Sequence, residues 1–123
     1  MNTKSTLHKK ITEKSAKICI IGMGYVGLPL MLRFIKSDKF NVFGIDQDKK
    51  KIESLKIGKS YISYIHDKEI KVLKQKIKSL TADYNVIKKC DYIIFALPTS
   101  LTINKDPDMS YILSTARKIA PHI

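Results

Sequence analysis

Three glycines and one acid carry the chemistry that this sequence offers. In the stretch Lys17–Phe34, KICIIGMGYVGLPLMLRF, Gly22, Gly24 and Gly27 form a G-x-G-x-x-G string, and Asp46 closes the next apolar run. Each part has a job in holding the pyrophosphate of a dinucleotide. Gly22 permits a tight turn, Gly24 lets the backbone approach a phosphate with no Cβ in the way, and Gly27 lets the following helix pack closely on its strand. A helix N-terminus adds unpaired N–H groups and a partial positive charge. Asp46 is placed to accept hydrogen bonds from ribose hydroxyls, and its charge repels a 2′-phosphate, which favours NAD over NADP. Lys49, Lys50 and Lys51 lie close behind and partly offset that repulsion. Glycines spent on packing alone are the weaker reading, because strand, loop, helix and acid all occur in order.

These residues need a strand before them and a helix after them. The run Lys17–Ile21 is short and continuously apolar, as a buried parallel strand is. Leu28, Met31, Leu32 and Ile35 then repeat at helical spacing, with Pro29 in the tolerated first turn. Ser37–Lys39 ends that helix and Phe40–Asp46 reads as a second strand. Asp48–Gly58 reads as a helix with an acidic cap and a glycine stop. A loop with two tyrosines, KSYISYIHD, comes next. Lys68–Leu80 is expected to be a helix with Ile70, Leu73 and Ile77 on one face, and LTAD a short strand. Asp91–Leu97, DYIIFAL, reads as a buried strand ending in the breaker PTS. A last helix is expected after Asp108 as N-cap, with Met109, Ile112 and Ile119 partly buried. Strands alternating with helices imply an α/β fold with a parallel sheet covered on both faces. The turn Ala96–Ser100 falls at the carboxyl edge of that sheet, where ligands of open α/β folds bind. Lining a cofactor and simply ending a strand are equally good readings of it.

Composition narrows the partners. The chain has 123 residues, 44% hydrophobic and 28% charged, with a formal net charge of +12. Its basic residues are nearly all lysines spread along the chain, with only Arg33 and Arg117 able to offer guanidinium forks. A solvated lysine surface is therefore favoured over a nucleic-acid or anionic-lipid footprint, and neither nucleic acid nor membrane is expected as a partner. No apolar run approaches the roughly 20 residues that cross a bilayer. The first fifteen residues are polar and basic and do not read as a secretory leader; they form either a flexible arm or a short added helix. Cys19, Cys90 and the three scattered histidines have no metal-ligand spacing. Two reduced, buried thiols in a cytoplasmic protein are the expectation.

Taken in order, KICIIGMGYVGLPLMLRF, VFGIDQDKKKI, DYIIFALPTS and DPDMSYI resemble the amino-terminal domain of the UDP-sugar 6-dehydrogenases, most closely the bacterial UDP-N-acetylglucosamine 6-dehydrogenase type that serves surface-polysaccharide synthesis. The resemblance runs from Lys17 to the chain end. It implies a Rossmann-type doubly wound sheet, truncated after the fourth strand and its helix, with residues 1–15 a basic arm and 16–123 a partial NAD-binding domain. It implies NAD as cofactor, held by Gly22, Met23, Gly24, Tyr25, Val26 and Gly27 with Tyr25 and Val26 at the pyrophosphate, by Asp46 at the ribose, by the basic Lys51 just after it, and by Thr99. Ser100 stands where the family commonly has proline. It also implies a two-step oxidation of the C6 alcohol of a UDP-sugar. The family's catalytic cysteine, its partner residues and its UDP-binding domain lie downstream of anything here, so the chain alone is expected to be inactive. With the family strand order, DYIIFAL becomes a sheet edge that invites self-association, and a homo-oligomer is expected. A non-catalytic nucleotide-sensing module of the same fold is the rival reading.

Overall fold

The computed structural model describes residues 3–37, 40–73 and 79–123. Its centre is a four-stranded parallel sheet in the order β3-β2-β1-β4, formed by β1 (Lys17–Ile21), β2 (Asn41–Ile45), β3 (Leu80–Thr81) and β4 (Tyr92–Phe95). The strand β1 is central: Cys19 pairs with Phe43 on one side and with Ile93 on the other. Side chains of a strand alternate between faces, and here both faces are apolar. Ile18 and Ile20 join the larger core with Leu28, Met31 and Leu32 of α2 (Gly27–Ser37) and Ile52 and Leu55 of α3 (Lys49–Lys56). Cys19 and Ile21 face the smaller core, with Ile45, Ile87 of the 3₁₀ turn Tyr84–Lys89, and Ile119 of α5 (Ser110–Ile119). The sheet is thus covered on both sides, as the doubly wound reading requires.

Local signals set several boundaries as read. The carboxylate of Asp48 accepts from the Lys50 N–H at 3.0 Å and starts α3. The helix closes where the Gly58 and Lys59 N–H groups fold back onto the Leu55 and Ser54 carbonyls. The N-cap expected at Asp108 falls one residue early: Met109 holds that position in α5, and the Asp108 carboxylate accepts from the Ser110 N–H at 3.0 Å from just ahead of it.

Other expectations are corrected. The segment Lys68–Leu80 opens with only a four-residue helix, α4 (Asp67–Ile70), while the short strand expected over LTAD is found as β3 and takes Leu80 from that helix; Ile70 and Leu73 are buried, and Ile77 lies outside the described residues. The run Asp91–Leu97 is not a buried strand. Its strand, β4, has no residue fully buried and Phe95 exposed, because among the described residues β4 is the edge expected from the family strand order, with β1 as its one neighbour. Met109 is exposed rather than packed, since α5 begins after it and buries Thr115 and Ile119 instead. The first fifteen residues resolve to a helix over their main part, α1 (Thr3–Thr12). An ion pair from Lys10 to Asp91 ties α1 to the entry of β4, and the second Asp91 oxygen accepts from the Lys17 N–H at 2.9 Å.

Candidate functional site: a cleft at the carboxyl edge of the sheet

Leaving β1, the chain turns at Gly22 with φ +105°, a left-handed conformation that a side chain would strain. A Cβ there would also stand 2.4 Å from the Ala96 carbonyl oxygen. At Gly27 a Cβ would stand 1.6 Å from the Gly22 carbonyl oxygen and 3.2 Å from Ala96 Cβ, so only glycine lets α2 start this close to the sheet. Gly24 is the opposite case: a Cβ there would meet nothing within 4 Å. Packing requires the first and third glycines, while the second faces open space.

Gly24 borders a cleft of about 640 Å³ lined on one side by Gly22, Gly24, Tyr25 and Val26, and on another by Asp46, Gln47, Asp48 and Lys51. The end of β4 and the turn after it, with Tyr111 of α5, form the remaining wall. Tyr25 and Val26 are 69% and 68% exposed at the cleft mouth. Asp46 is only 9% exposed, and both of its oxygens are engaged. One accepts from the Met23 N–H at 2.9 Å and the other from the Asp48 N–H at 2.8 Å. Those bonds fix the carboxylate at the cleft floor while each oxygen keeps a lone pair for a further donor.

Gly22, Gly24, Tyr25, Val26, Asp46 and Lys51, all singled out in the sequence, thus meet in one cleft. Met23 and Gly27 support it from beneath: the Met23 side chain is fully buried, and Gly27 opens α2. Thr99 is exposed and follows Pro98, the last lining residue of its turn. Gln47 and Tyr111 went unnoticed in the sequence. The signal for Tyr111 was its place in the first turn of a helix that starts at the carboxyl edge of the sheet. Burial, with the Asp46 charge nearby, pushes the Tyr111 phenol up.

Two more residues reach the loop from afar. In the tyrosine-bearing segment after α3, the Tyr61 hydroxyl donates to the Met23 carbonyl and the Tyr64 hydroxyl to the Tyr25 carbonyl, the latter at 2.8 Å. Burial first, and then the negative charges of Asp46 and Asp48, push the Tyr61 phenol well above its ordinary value. It therefore remains a donor throughout the neutral range. The thiols lie apart from the cleft: Cys19 is buried in β1, and the contact with Cys90 together with burial pushes its pKa up. Among the described residues no cluster of metal-ligating groups occurs, and no helix is long and apolar enough to cross a membrane.

A glycine loop between strand and helix, a fixed acid at the end of the next strand and a cleft between them define a dinucleotide-binding fold. Residues 16–123 match the NAD-binding domain of the UDP-glucose/GDP-mannose dehydrogenase family, and the chain belongs to that family. It is 34% identical over 103 residues to a UDP-N-acetyl-D-glucosamine 6-dehydrogenase of Salmonella typhi, covering 84% of this chain and 23% of the relative. A UDP-N-acetyl-D-mannosamine dehydrogenase of Escherichia coli K12 is 32% identical over 108 residues, 86% of this chain and 25% of the relative. Among solved structures, an NDP-N-acetyl-D-galactosaminuronic acid dehydrogenase from Methanosarcina mazei superposes with a TM-score of 0.80 at 27% identity, over 100% of this chain and 28% of that one. The chain therefore spans about a quarter of the length of the relatives it matches.

Proposed function

We propose that the chain is the NAD-binding part of a nucleotide-sugar dehydrogenase that oxidises the C6 alcohol of a UDP-sugar, a UDP-N-acetylhexosamine, to a uronic acid for surface-polysaccharide synthesis. The observation that carries the reading is the cleft itself, in which the one glycine not needed for packing faces open space beside a fixed carboxylate. In this reading Gly24, Tyr25 and Val26 take the pyrophosphate on their N–H groups, and Asp46 accepts from the adenosine ribose hydroxyls with the Lys51 ammonium beside it. Thr99 borders the far side of the cofactor. When bound, NAD supplies the hydride acceptor for the alcohol oxidation. The relatives' names support the UDP-N-acetylhexosamine substrate.

By itself the chain carries no dehydrogenase activity. The position of its cysteines supports this, since Cys19 is sealed in β1 and Cys90 packs against the same small core, and neither lines the cleft. Residues 1–15 are an arm outside the cofactor domain proper, consistent with a family match that begins at residue 16. In this reading the protein is cytoplasmic and works as a homo-oligomer, and the chain by itself self-associates through its exposed β4 edge.

Calorimetric titration with NAD, NADP and ADP-ribose, repeated on Asp46→Ala, tests the site. NAD and ADP-ribose are expected to bind, NADP more weakly, and the preference to vanish in the variant. No heat from any of the three would overturn the assignment.

A further inference from the structure

We propose that Tyr61 and Tyr64 are positioning residues for the cofactor loop, holding two of its carbonyls so that alternate peptide N–H groups face the cleft. The inference rests on the NAD reading above. A trans peptide points its C=O and N–H in opposite directions, and no peptide bond among the described residues is cis. The hydroxyl of Tyr61 on the Met23 carbonyl therefore turns the Gly24 N–H away from Tyr61. The Tyr64 hydroxyl on the Tyr25 carbonyl does the same for the Val26 N–H. Gly24 and Val26 both line the main cleft, whereas Tyr61 does not; it lines a smaller adjoining hollow of about 330 Å³ that shares Gly24, Tyr25 and Lys51 with the cleft. Among the described residues neither N–H has an acceptor within the protein.

The loop is thus fixed from three directions. Asp46 takes the Met23 N–H, Tyr61 the Met23 carbonyl and Tyr64 the Tyr25 carbonyl. The tyrosines are themselves placed. The Tyr64 ring lies 6.0 Å from the Tyr25 ring, and the Lys51 ammonium sits 5.8 Å over the Tyr61 ring. Glycine at position 24 leaves that peptide free to rotate unless something holds it, and donors that are already aimed bind an anion without a further ordering cost. The phenols supply that aim without touching the ligand.

Tyr64→Phe, Tyr61→Phe and the double variant are titrated with ADP-ribose and with adenosine, and their melting temperatures are measured alongside. Tyr64 is exposed, so its variant is expected to melt with the wild type yet bind ADP-ribose about 3-fold more weakly, on the order of one lost neutral hydrogen bond. The double variant is expected to lose about 10-fold, with adenosine affinity unchanged throughout. Hydrogen exchange reads the loop directly: ADP-ribose is expected to slow the Gly24 and Val26 amides in the wild type and not in the double variant. Equal losses for both ligands, undiminished ADP-ribose binding, or losses that follow melting temperature would each overturn the positioning role. If Tyr61→Phe does not fold, Tyr64→Phe alone decides. Wild-type protein that binds neither NAD nor ADP-ribose would remove the cofactor reading and this inference together, whereas wild-type binding with indifferent variants removes only the inference.

Discussion

The two walls of the cleft are held very differently. The Gly22–Gly27 wall is held by close backbone packing and one buried carboxylate: the Gly22 N–H donates to the Ile45 carbonyl at 2.7 Å, Gly27 sits against the Gly22 carbonyl, and the Met23 N–H donates to the Asp46 side chain. On the opposite wall, β4 hangs on one neighbour and the chain beyond it folds mainly on itself. Asp108 donates to the Ser100 carbonyl at 2.7 Å, and Thr102 to the Asp106 carbonyl at 2.8 Å. Leu101 and Ile103 stand exposed on that turn. One wall is specified by space that admits a single residue type. The other is specified by short-range hydrogen bonds that many sequences could make.

Substitutions can break or sharpen this contrast. The largest effect is expected at Gly27→Ala, whose Cβ would stand 1.6 Å from a carbonyl oxygen. Backbone rather than a yielding side chain must move, so urea denaturation should show a loss of about 3 kcal/mol, the upper end of ordinary overpacking costs. Gly24→Ala, in the same loop, should change stability by less than about 0.5 kcal/mol. Its NAD affinity should still fall at least about 10-fold by calorimetry, roughly 1.4 kcal/mol, because the methyl group enters the cleft. Equal stability losses at the two glycines would refute the division between packing and ligand.

At the entry of β4, the far end of that strand from the cleft, Asp91→Asn should loosen α1 from β4 and cost about 1 kcal/mol at neutral pH. The Lys10 ammonium, with the Lys17 N–H, holds the Asp91 carboxyl below its usual range. The folded-state pKa is depressed, so the stabilisation is complete above the unfolded-state value of about 4 and fades as pH falls below it. The difference in urea midpoint between wild type and Asp91→Asn should therefore be present at pH 7 and shrink towards pH 3. The smallest effect is expected at Ile103→Ser, whose side chain is fully exposed; its stability should stay within about 0.5 kcal/mol of wild type. A larger loss by thermal melting would show that the opposite wall is packed more firmly than its hydrogen bonds suggest.

The same contrast governs what was legible in the sequence. The loop, its glycines and Asp46 could be read because their constraints are local: a turn, a close approach and a capped helix each leave a mark within a few residues. The strand order followed from the family resemblance and was found as expected. What escaped depended on distant partners. Nothing near Tyr61 or Tyr64 indicates that their hydroxyls reach carbonyls 38 and 39 positions away. The composition of β4 suits an interior strand, and it was the family strand order, not that composition, that made its edge position and half-exposed state legible. Lys68–Leu80 has an apolar rhythm that suits a helix, yet its α-helix stops at Ile70, whereas the short strand expected over LTAD is found as β3, paired with β2 through Leu80 and Gly44.

The doubly bonded carboxylate of Asp46 has a consequence for redesign. Retargeting such a cleft to a phosphorylated cofactor ordinarily begins by replacing the acid with a small neutral residue. Here the same oxygens clamp the exit of β1 to the start of α3, so that replacement would also leave the buried Met23 amide without an acceptor, at about 1–3 kcal/mol. Cofactor choice and fold stability share one side chain, and an engineer could not alter the first without rebuilding the joint that maintains the second.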